Sequence, residues 1–203
     1  MDKKITCFSF LILSLALFSS CLTMDLEISI NRDNSGTARL VYSLSTLAMD
    51  INRIDSEKTV LNIPLTREDF ESAALLAGGI LINDYEMTDD GSRYNINSLV
   101  SFDSIESLGT FTGIEFLLEE TGNNKLLTIR STDASLVKEI SEQTLDIIRE
   151  SFPDDFISLI ITIPGEIIRV AGATFSGSDV SFKISVEDFL RTRETIQLTV
   201  EYR

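Results

Sequence analysis

The sequence contains no histidine and no tryptophan, and it has only two cysteines. Without histidine, the chain cannot form a histidine general base, a Cys/His nucleophilic pair or a zinc site that uses histidine. Carboxylate chemistry remains open, and the candidates are the adjacent pairs Asp89–Asp90, Glu119–Glu120 and Asp154–Asp155. Neighbouring strand residues point to opposite faces and turn residues face water. We therefore assign no catalytic residue, and a carboxylate-dependent hydrolase is the least favoured hypothesis for function.

The sequence also lacks a hydrophobic run of membrane-spanning length. Its N-terminal apolar run covers 14 residues, from Ile5 to Phe18. Such a run rises about 21 Å as a helix, whereas a membrane span needs roughly 20 residues. Lys3 and Lys4 precede the run and two serines follow it, which is typical of a secretory signal peptide. We predict a signal peptide over residues 1–20 and a single domain over residues 21–203.

The two cysteines of the chain lie on opposite sides of the predicted cleavage site. Cleavage before Cys21 would remove Cys7, so the exported chain could form no internal disulfide. The stretch LFSSC (17–21) resembles a relaxed form of the bacterial lipoprotein signal, with Phe18 where Leu, Val or Ile is usual. The resemblance implies that Cys21 carries a diacylglycerol and an N-acyl chain such as palmitate, which together anchor a protein stably.

The residue after the cysteine bears on the choice of membrane. Leu22 takes the place of the aspartate that favours inner-membrane retention in some bacteria. This favours the outer membrane, with the domain facing the periplasm or the cell surface.

Positive charge is in short supply. The chain has 17 Lys and Arg against 32 Asp and Glu, for a formal net charge of −15. Loss of the signal peptide removes two lysines and one aspartate, so the charge becomes −16. Such a surface repels nucleic acid and anionic lipid headgroups. We expect no nucleic-acid partner and interpret the acidity as a solubilising surface.

Two acidic turns have some of the oxygens of a calcium loop. They are NRDNSG (31–36) and EMTDDG (86–91). A calcium loop of the EF-hand type ends with a bidentate Glu at its twelfth position, and here Tyr42 and Asn97 occupy those positions. Both segments are therefore predicted to be hairpin turns, and no metal or other cofactor is expected.

Alternating apolar and polar residues predict strands in most of the chain. Four hairpins are expected, turning at 31–36, 89–91, 122–124 and 176–179, and further strands at 157–163 and 196–202. Helices are predicted at 65–79, capped by Thr66, and at 134–152, capped by Asp133; shorter helical segments are predicted at 47–51, between residues 102 and 113, and after Ser185. The sum of eight or nine strands indicates an α+β fold, a mostly antiparallel sheet of successive hairpins covered by two helices.

The predicted helix 134–152 carries an apolar stripe with two interpretations. Its apolar residues are Leu136, Val137, Ile140, Leu145, Ile148 and Phe152. If the helix packs fully on the sheet, the stripe is core and the domain is a packed scaffold. If the sheet curves away, the same residues line a pocket for an acyl chain or another envelope lipid. We favour the packed scaffold.

Two segments of the chain resemble the LppM-like lipoprotein domain, a bacterial envelope family. They are the strand after Cys21 with its return NSGTARLVYSLS, and the late segment ITIPGEIIRVAGATFSGSDVSFKI. Phe182 stands where members often have tryptophan, and the chain ends without their C-terminal membrane helix. The resemblance implies an α+β domain of the cell envelope and carries over no catalytic residues.

These observations favour a non-enzymatic lipoprotein of the bacterial cell envelope. The lipid on Cys21 would fasten it to the membrane, and the domain would act as a scaffold or bind an envelope protein. The alternative is a carrier of an envelope lipid or another apolar ligand in a cavity between sheet and helix.

Overall fold

The computed structural model describes residues 22–46, 64–131, 155–192 and 195–203, most of which lie in strands. The strands are β1 (Leu22–Ile30), β2 (Gly36–Ser45), β3 (Ile80–Asp89), β4 (Arg93–Phe102), β5 (Ile114–Thr121), β6 (Asn124–Ser131), β7 (Phe156–Thr162), β8 (Ile167–Ala171), β9 (Thr174–Ser176), β10 (Asp179–Ser185) and β11 (Gln197–Tyr202). The helices are α1 (Arg67–Ala77), α2 (Ile105–Thr112) and α3 (Val186–Arg191).

The strands of the described residues form two sheets. The first has seven strands in the order β3-β4-β2-β1-β7-β10-β9, and the second has four in the order β5-β6-β11-β8. The four predicted hairpins are present, and the mostly antiparallel character of the fold is confirmed. The prediction of one sheet of eight or nine strands is wrong, because the described residues alone contain eleven strands, divided between two sheets. β1 and β7 also pair in parallel, with Met24 opposite Ile157.

The first hairpin shows why the alternation gives a half-buried sheet. Leu26 of β1 pairs with Leu40 of β2, and Ile28 pairs with Ala38. All four residues are buried, while the charged residues between them are exposed. Because strand side chains alternate between faces, this register places every apolar member on the same side.

One predicted strand is interrupted at Gly172. The segment before the turn at 176–179 forms β8 in the second sheet and β9 in the first. Gly172 has φ +78°, and a Cβ there would lie 2.6 Å from the carbonyl oxygen of Gln197. Only glycine fits this bend, so the chain passes from one sheet to the other at this residue.

The hydrophobic core joins both sheets with all three helices. Buried residues of β1, β2, β4, β5, β6, β7, β10 and β11 belong to one cluster with Phe70 of α1, Leu108 of α2 and Val186 of α3, and β3 contributes partly buried residues that pack against it. The prediction that two helices cover the sheet is corrected for the described residues, which contain three short helices that do not clearly cover it. The predicted helices at 134–152 and 47–51 lie outside the described residues.

The predicted helix starts agree with the structure. Thr66 caps α1 in a capping box with Asp69, and Ser185 caps α3 by accepting a hydrogen bond from the amide of Asp188. The inner face of α1 carries Phe70, which is buried, and Ala73, Ala74 and Ala77, which pack against the core.

Candidate functional site

The residues to which the sequence assigned a site lie outside the described part of the chain. Cys21 immediately precedes β1, and all six residues of the apolar stripe, from Leu136 to Phe152, fall in the gap at 132–154. Lipidation of Cys21 and the apolar pocket therefore stay predictions. The described residues nevertheless show where a lipid on Cys21 would be relative to the sheet.

The strand register defines an N-terminal end of the seven-stranded sheet, where β1 begins, and a far end. At the N-terminal end, Leu22 pairs with Leu44, which pairs with Tyr94, which pairs with Asp89 of β3. Seven residues further along β1, Ser29 is level with Leu81 at the opposite end of β3, through Thr37 and Ser101. At about 3.3 Å per residue, the two levels are about 23 Å apart along the strands.

Three exposed leucines flank the join between α1 and β3 at the far end, and we call them the leucine surface: Leu75, Leu76 and Leu81. Leu75 and Leu76 are each 84% exposed, and Leu81 is 65% exposed. The two helical leucines lie opposite the inner face of α1. A contiguous exposed apolar patch usually marks an interaction site, whereas single exposed apolar residues need no explanation.

The leucine surface borders a groove between α1 and the start of β3. The groove has a volume of about 450 Å³, and its lining includes Ala74 and Leu75 on one side and Ile80 to Ile82 on the other. Arg67 and Glu71 pair across 2.9 Å at the mouth of the groove. Partly apolar walls with one polar rim suit a protein side chain or a small apolar group.

Glycine makes the sharp join that brings helix and strand together. Gly78 has φ +66° and Gly79 has φ +65°, and the chain enters β3 at the next residue. A Cβ on Gly79 would lie 1.9 Å from Oδ1 of Asp103, whose amide donates to the carbonyl of Gly79. The join therefore places the end of α1 next to the start of β3, and Leu75 and Leu81 line the same groove.

The N-terminal half of α1 is held by aromatic residues of the sheet. The hydroxyls of Tyr42 and Tyr85 donate hydrogen bonds to the carbonyl oxygens of Pro64 and Leu65. The ring of Phe70 lies 5.2 Å from that of Tyr85 and 6.0 Å from that of Phe111. These contacts hold the N-terminal half of α1 against the domain. Leu75 and Leu76 therefore lie on a packed helix.

Two pKa shifts reflect the same attachment. Burial raises the pKa of Tyr42, and the neighbouring Tyr85 and Asp69 add to the effect, so the phenol stays a donor. Backbone amides of Thr66 and Leu65 donate to the carboxylate of Asp69 and lower its pKa. Both shifts keep each group in the protonation state that its hydrogen bond requires.

Five of the six residues of the three carboxylate pairs lie in the described part of the chain. Asp89 and Asp90 accept hydrogen bonds inside the β3–β4 turn, and hydrogen bonds from Ser92 lower the pKa of Asp90. Glu119 and Glu120 are both exposed on β5. Asp155 is buried, while Asp154 lies outside the described residues.

The two acidic turns are hairpin turns, as predicted. In the first, Asp33 accepts hydrogen bonds from the amide and hydroxyl of Ser35, and the Lys125 ammonium donates to Asn34 and to the carbonyl of Arg32. A lysine charge in the turn repels a cation. Across the described ranges, no group of three or more Asp, Glu, Cys or His side chains could hold a metal ion.

Within the described residues, no helix combines the length and apolarity needed to cross a membrane.

Comparisons with known proteins give one structural similarity. No family model matches the sequence, and no curated protein does. The fold is similar to that of the folded domain of Mycobacterium tuberculosis LppM, solved by NMR, with 14% sequence identity and a TM-score of 0.47. The similarity covers 91% of each chain. The similarity concerns the backbone fold alone.

Proposed function

We propose that this chain is a lipid-anchored, non-enzymatic protein of the bacterial cell envelope that binds another protein through the leucine surface. The observation that carries the proposal is the position of Leu75 and Leu76. Both are 84% exposed, and they lie in the last turn of α1, just before β3 begins at the end of the sheet opposite Leu22.

The anchor is supported by the N-terminal sequence together with the start of β1. LFSSC ends at Cys21, and β1 begins at the next residue. A lipid on Cys21 would therefore hold the sheet by one end, with almost no linker between bilayer and strand. Because Leu22 replaces aspartate after the cysteine, we place the protein in the outer membrane.

The distance between the anchor and the leucine surface favours a protein, and not the bilayer, as the partner of that surface. With Leu22 at the membrane, the leucine surface lies about 23 Å further along the strands. The acidic surface of the domain opposes its lying flat on anionic headgroups. Burial of a leucine side chain contributes about 1.5–3 kcal/mol, so two leucines that a partner covers would make a large contribution to binding.

We expect a photo-crosslinking amino acid at position 76 to capture a protein of one discrete mass in living cells. The adduct should disappear in a Leu75→Ser/Leu81→Ser variant, because each lost leucine contact weakens binding by about tenfold or more. The measurement is an immunoblot of the crosslinked species, followed by mass spectrometry of the adduct.

Position 168 is the matched control, since Ile168 is an exposed apolar residue of the second sheet. Crosslinks to lipid alone from position 76, or the same set of adducts from positions 76 and 168, would contradict the proposal.

A further inference from the structure

The outer edge of β3 has a second feature that the leucine surface does not use. In the described part of the chain, β3 is one of the two edge strands of the seven-stranded sheet and pairs only with β4. Every second residue of an edge strand directs its N–H and C=O groups away from the sheet, where another strand can bind them. The feature of interest is residues 84–88, which we call the acidic edge.

The side chains of the acidic edge alternate in chemistry as well as in direction. Tyr85 and Met87 pair with Ser98 and Ile96 and share their face, which is the core face of the sheet. Asp84, Glu86 and Thr88 point to the outer face and are exposed. One face of this edge is therefore apolar and the other carries negative charge.

Neither carboxylate of the acidic edge is neutralised by the described residues. Asp84 accepts a hydrogen bond from the amide of Tyr85, and no described lysine or arginine pairs with Asp84 or Glu86. Met87 is 42% exposed. The two carboxylates and the Met87 side chain are therefore accessible to a partner.

We propose that the acidic edge binds an extended segment of a partner protein in which basic and apolar residues alternate. The segment adds a strand to β3, its apolar side chains beside Tyr85 and Met87 and its basic side chains beside Asp84 and Glu86. Opposite charges and apolar pairs directly across neighbouring strands stabilise their pairing. The inference rests on the proposed function as a protein-binding domain, but on different residues.

The charges of the edge select against a second copy of the chain. Antiparallel pairing of two such edges would place carboxylates opposite carboxylates, which destabilises a sheet. Bulges and charges commonly protect edge strands. Here the register shift lies between Ile82 and Asp84, which leaves the segment after it in regular pairing with β4. Because the acidic edge carries only negative charge, it disfavours pairing with an acidic strand and favours pairing with a basic one.

The test uses the full-length lipidated protein in nanodiscs of zwitterionic lipid and a fluorescent eight-residue peptide, (Lys-Val)4, with capped ends. Binding is followed by fluorescence anisotropy and by amide hydrogen exchange of residues 84–88. We expect the peptide to bind and to slow exchange in this segment. An Asp84→Lys/Glu86→Lys variant should weaken binding by about tenfold, as expected for two reversed cross-strand pairs.

Two controls separate strand pairing from simple attraction of charge. The Asp25→Lys/Glu27→Lys variant reverses two exposed charges with the same spacing on the same outer face, but on the interior strand β1, and it should retain binding within about twofold. The peptide (Lys-Ser)4 lacks the apolar residues and should bind at least about tenfold more weakly than (Lys-Val)4.

Equal binding of both peptides, equal loss in both variants, or no slowing of exchange at 84–88 would overturn the inference. Self-association that protects these residues without peptide would also overturn it, in favour of a second copy. The peptide result is independent of the crosslink at position 76. Loss of that crosslink with retained peptide binding would contradict the proposed leucine contact alone.

Discussion

Replacing Cys21 with alanine is expected to abolish the incorporation of a clickable fatty acid into the protein. The thioether to diacylglycerol requires the cysteine sulfur, and the N-acyl chain is added only to the processed cysteine. Each buried CH₂ of an acyl chain contributes about 0.8 kcal/mol to membrane binding, so loss of the chains removes the anchor entirely. The measurement is in-gel fluorescence after metabolic labelling, normalised to protein abundance.

The second cysteine of the chain provides the matched control. Cys7 lies in the predicted signal peptide, so Cys7→Ala should be processed and should carry full label. Equal label in wild type and Cys21→Ala would show that the lipid is attached elsewhere. Loss of label in Cys7→Ala alone would contradict the assignment of residues 1–20.

Replacing Phe70 with alanine is expected to lower the free energy of unfolding by about 3–5 kcal/mol, the usual cost of removing a buried phenylalanine. The Phe70 side chain is fully buried and touches the rings of Tyr85 and Phe111. Its loss leaves a cavity where α1 meets the sheet. The measurement is urea unfolding followed by circular dichroism, at constant detergent concentration.

Phe175 is the corresponding exposed aromatic residue, with 52% of its surface accessible. Phe175→Ala should change the free energy of unfolding by less than about 0.5 kcal/mol, as is usual for surface substitutions. Similar losses in the two variants would mean that α1 is not held by its aromatic contact. The crosslink at position 76 should weaken in Phe70→Ala, because α1 carries the leucine surface.

Local chemistry accounts for the parts of the fold that the sequence predicted. Each hairpin depends on a short turn and on alternation over adjacent residues, as between Leu26 and Leu40. The start of α1 depends on Thr66 and Asp69, which are three residues apart. Such features are fixed by neighbours in the sequence, so pattern alone identifies them.

The same patterns could not predict which strands from distant parts of the sequence become neighbours. β1 lies parallel to β7, and β11 inserts between β6 and β8. A strand with one apolar face can join either sheet, and nothing in its own residues selects the neighbour. For the same reason, the division into two sheets at Gly172 was missed, although a glycine within a strand pattern often marks a bend.

The leucine surface had a signal in the sequence that the prediction did not use. Phe70, Ala73, Ala74 and Ala77 already defined the inner face of α1, which left Leu75 and Leu76 outside it. Adjacent leucines outside the inner face of an amphipathic helix can signal an interaction surface, because exposed apolar patches often mark interaction sites. The contribution of Leu81 depends on the helix–strand join and could not be read from periodicity.

The central claim is that the N-terminal end of the domain is held at the membrane. Fluorescence quenching in bilayers that contain a headgroup quencher tests this claim most directly. Single cysteines at positions 81 and 88, labelled on the acylated protein, compare two sites on the outer face of β3. Leu81 is level with Ser29 and Thr88 is level with Thr23, so the sites lie about 20 Å apart along the strands. We predict strong quenching at position 88 and weak quenching at position 81. Equal quenching at both positions, or stronger quenching at position 81, would contradict a leucine surface that faces away from the membrane.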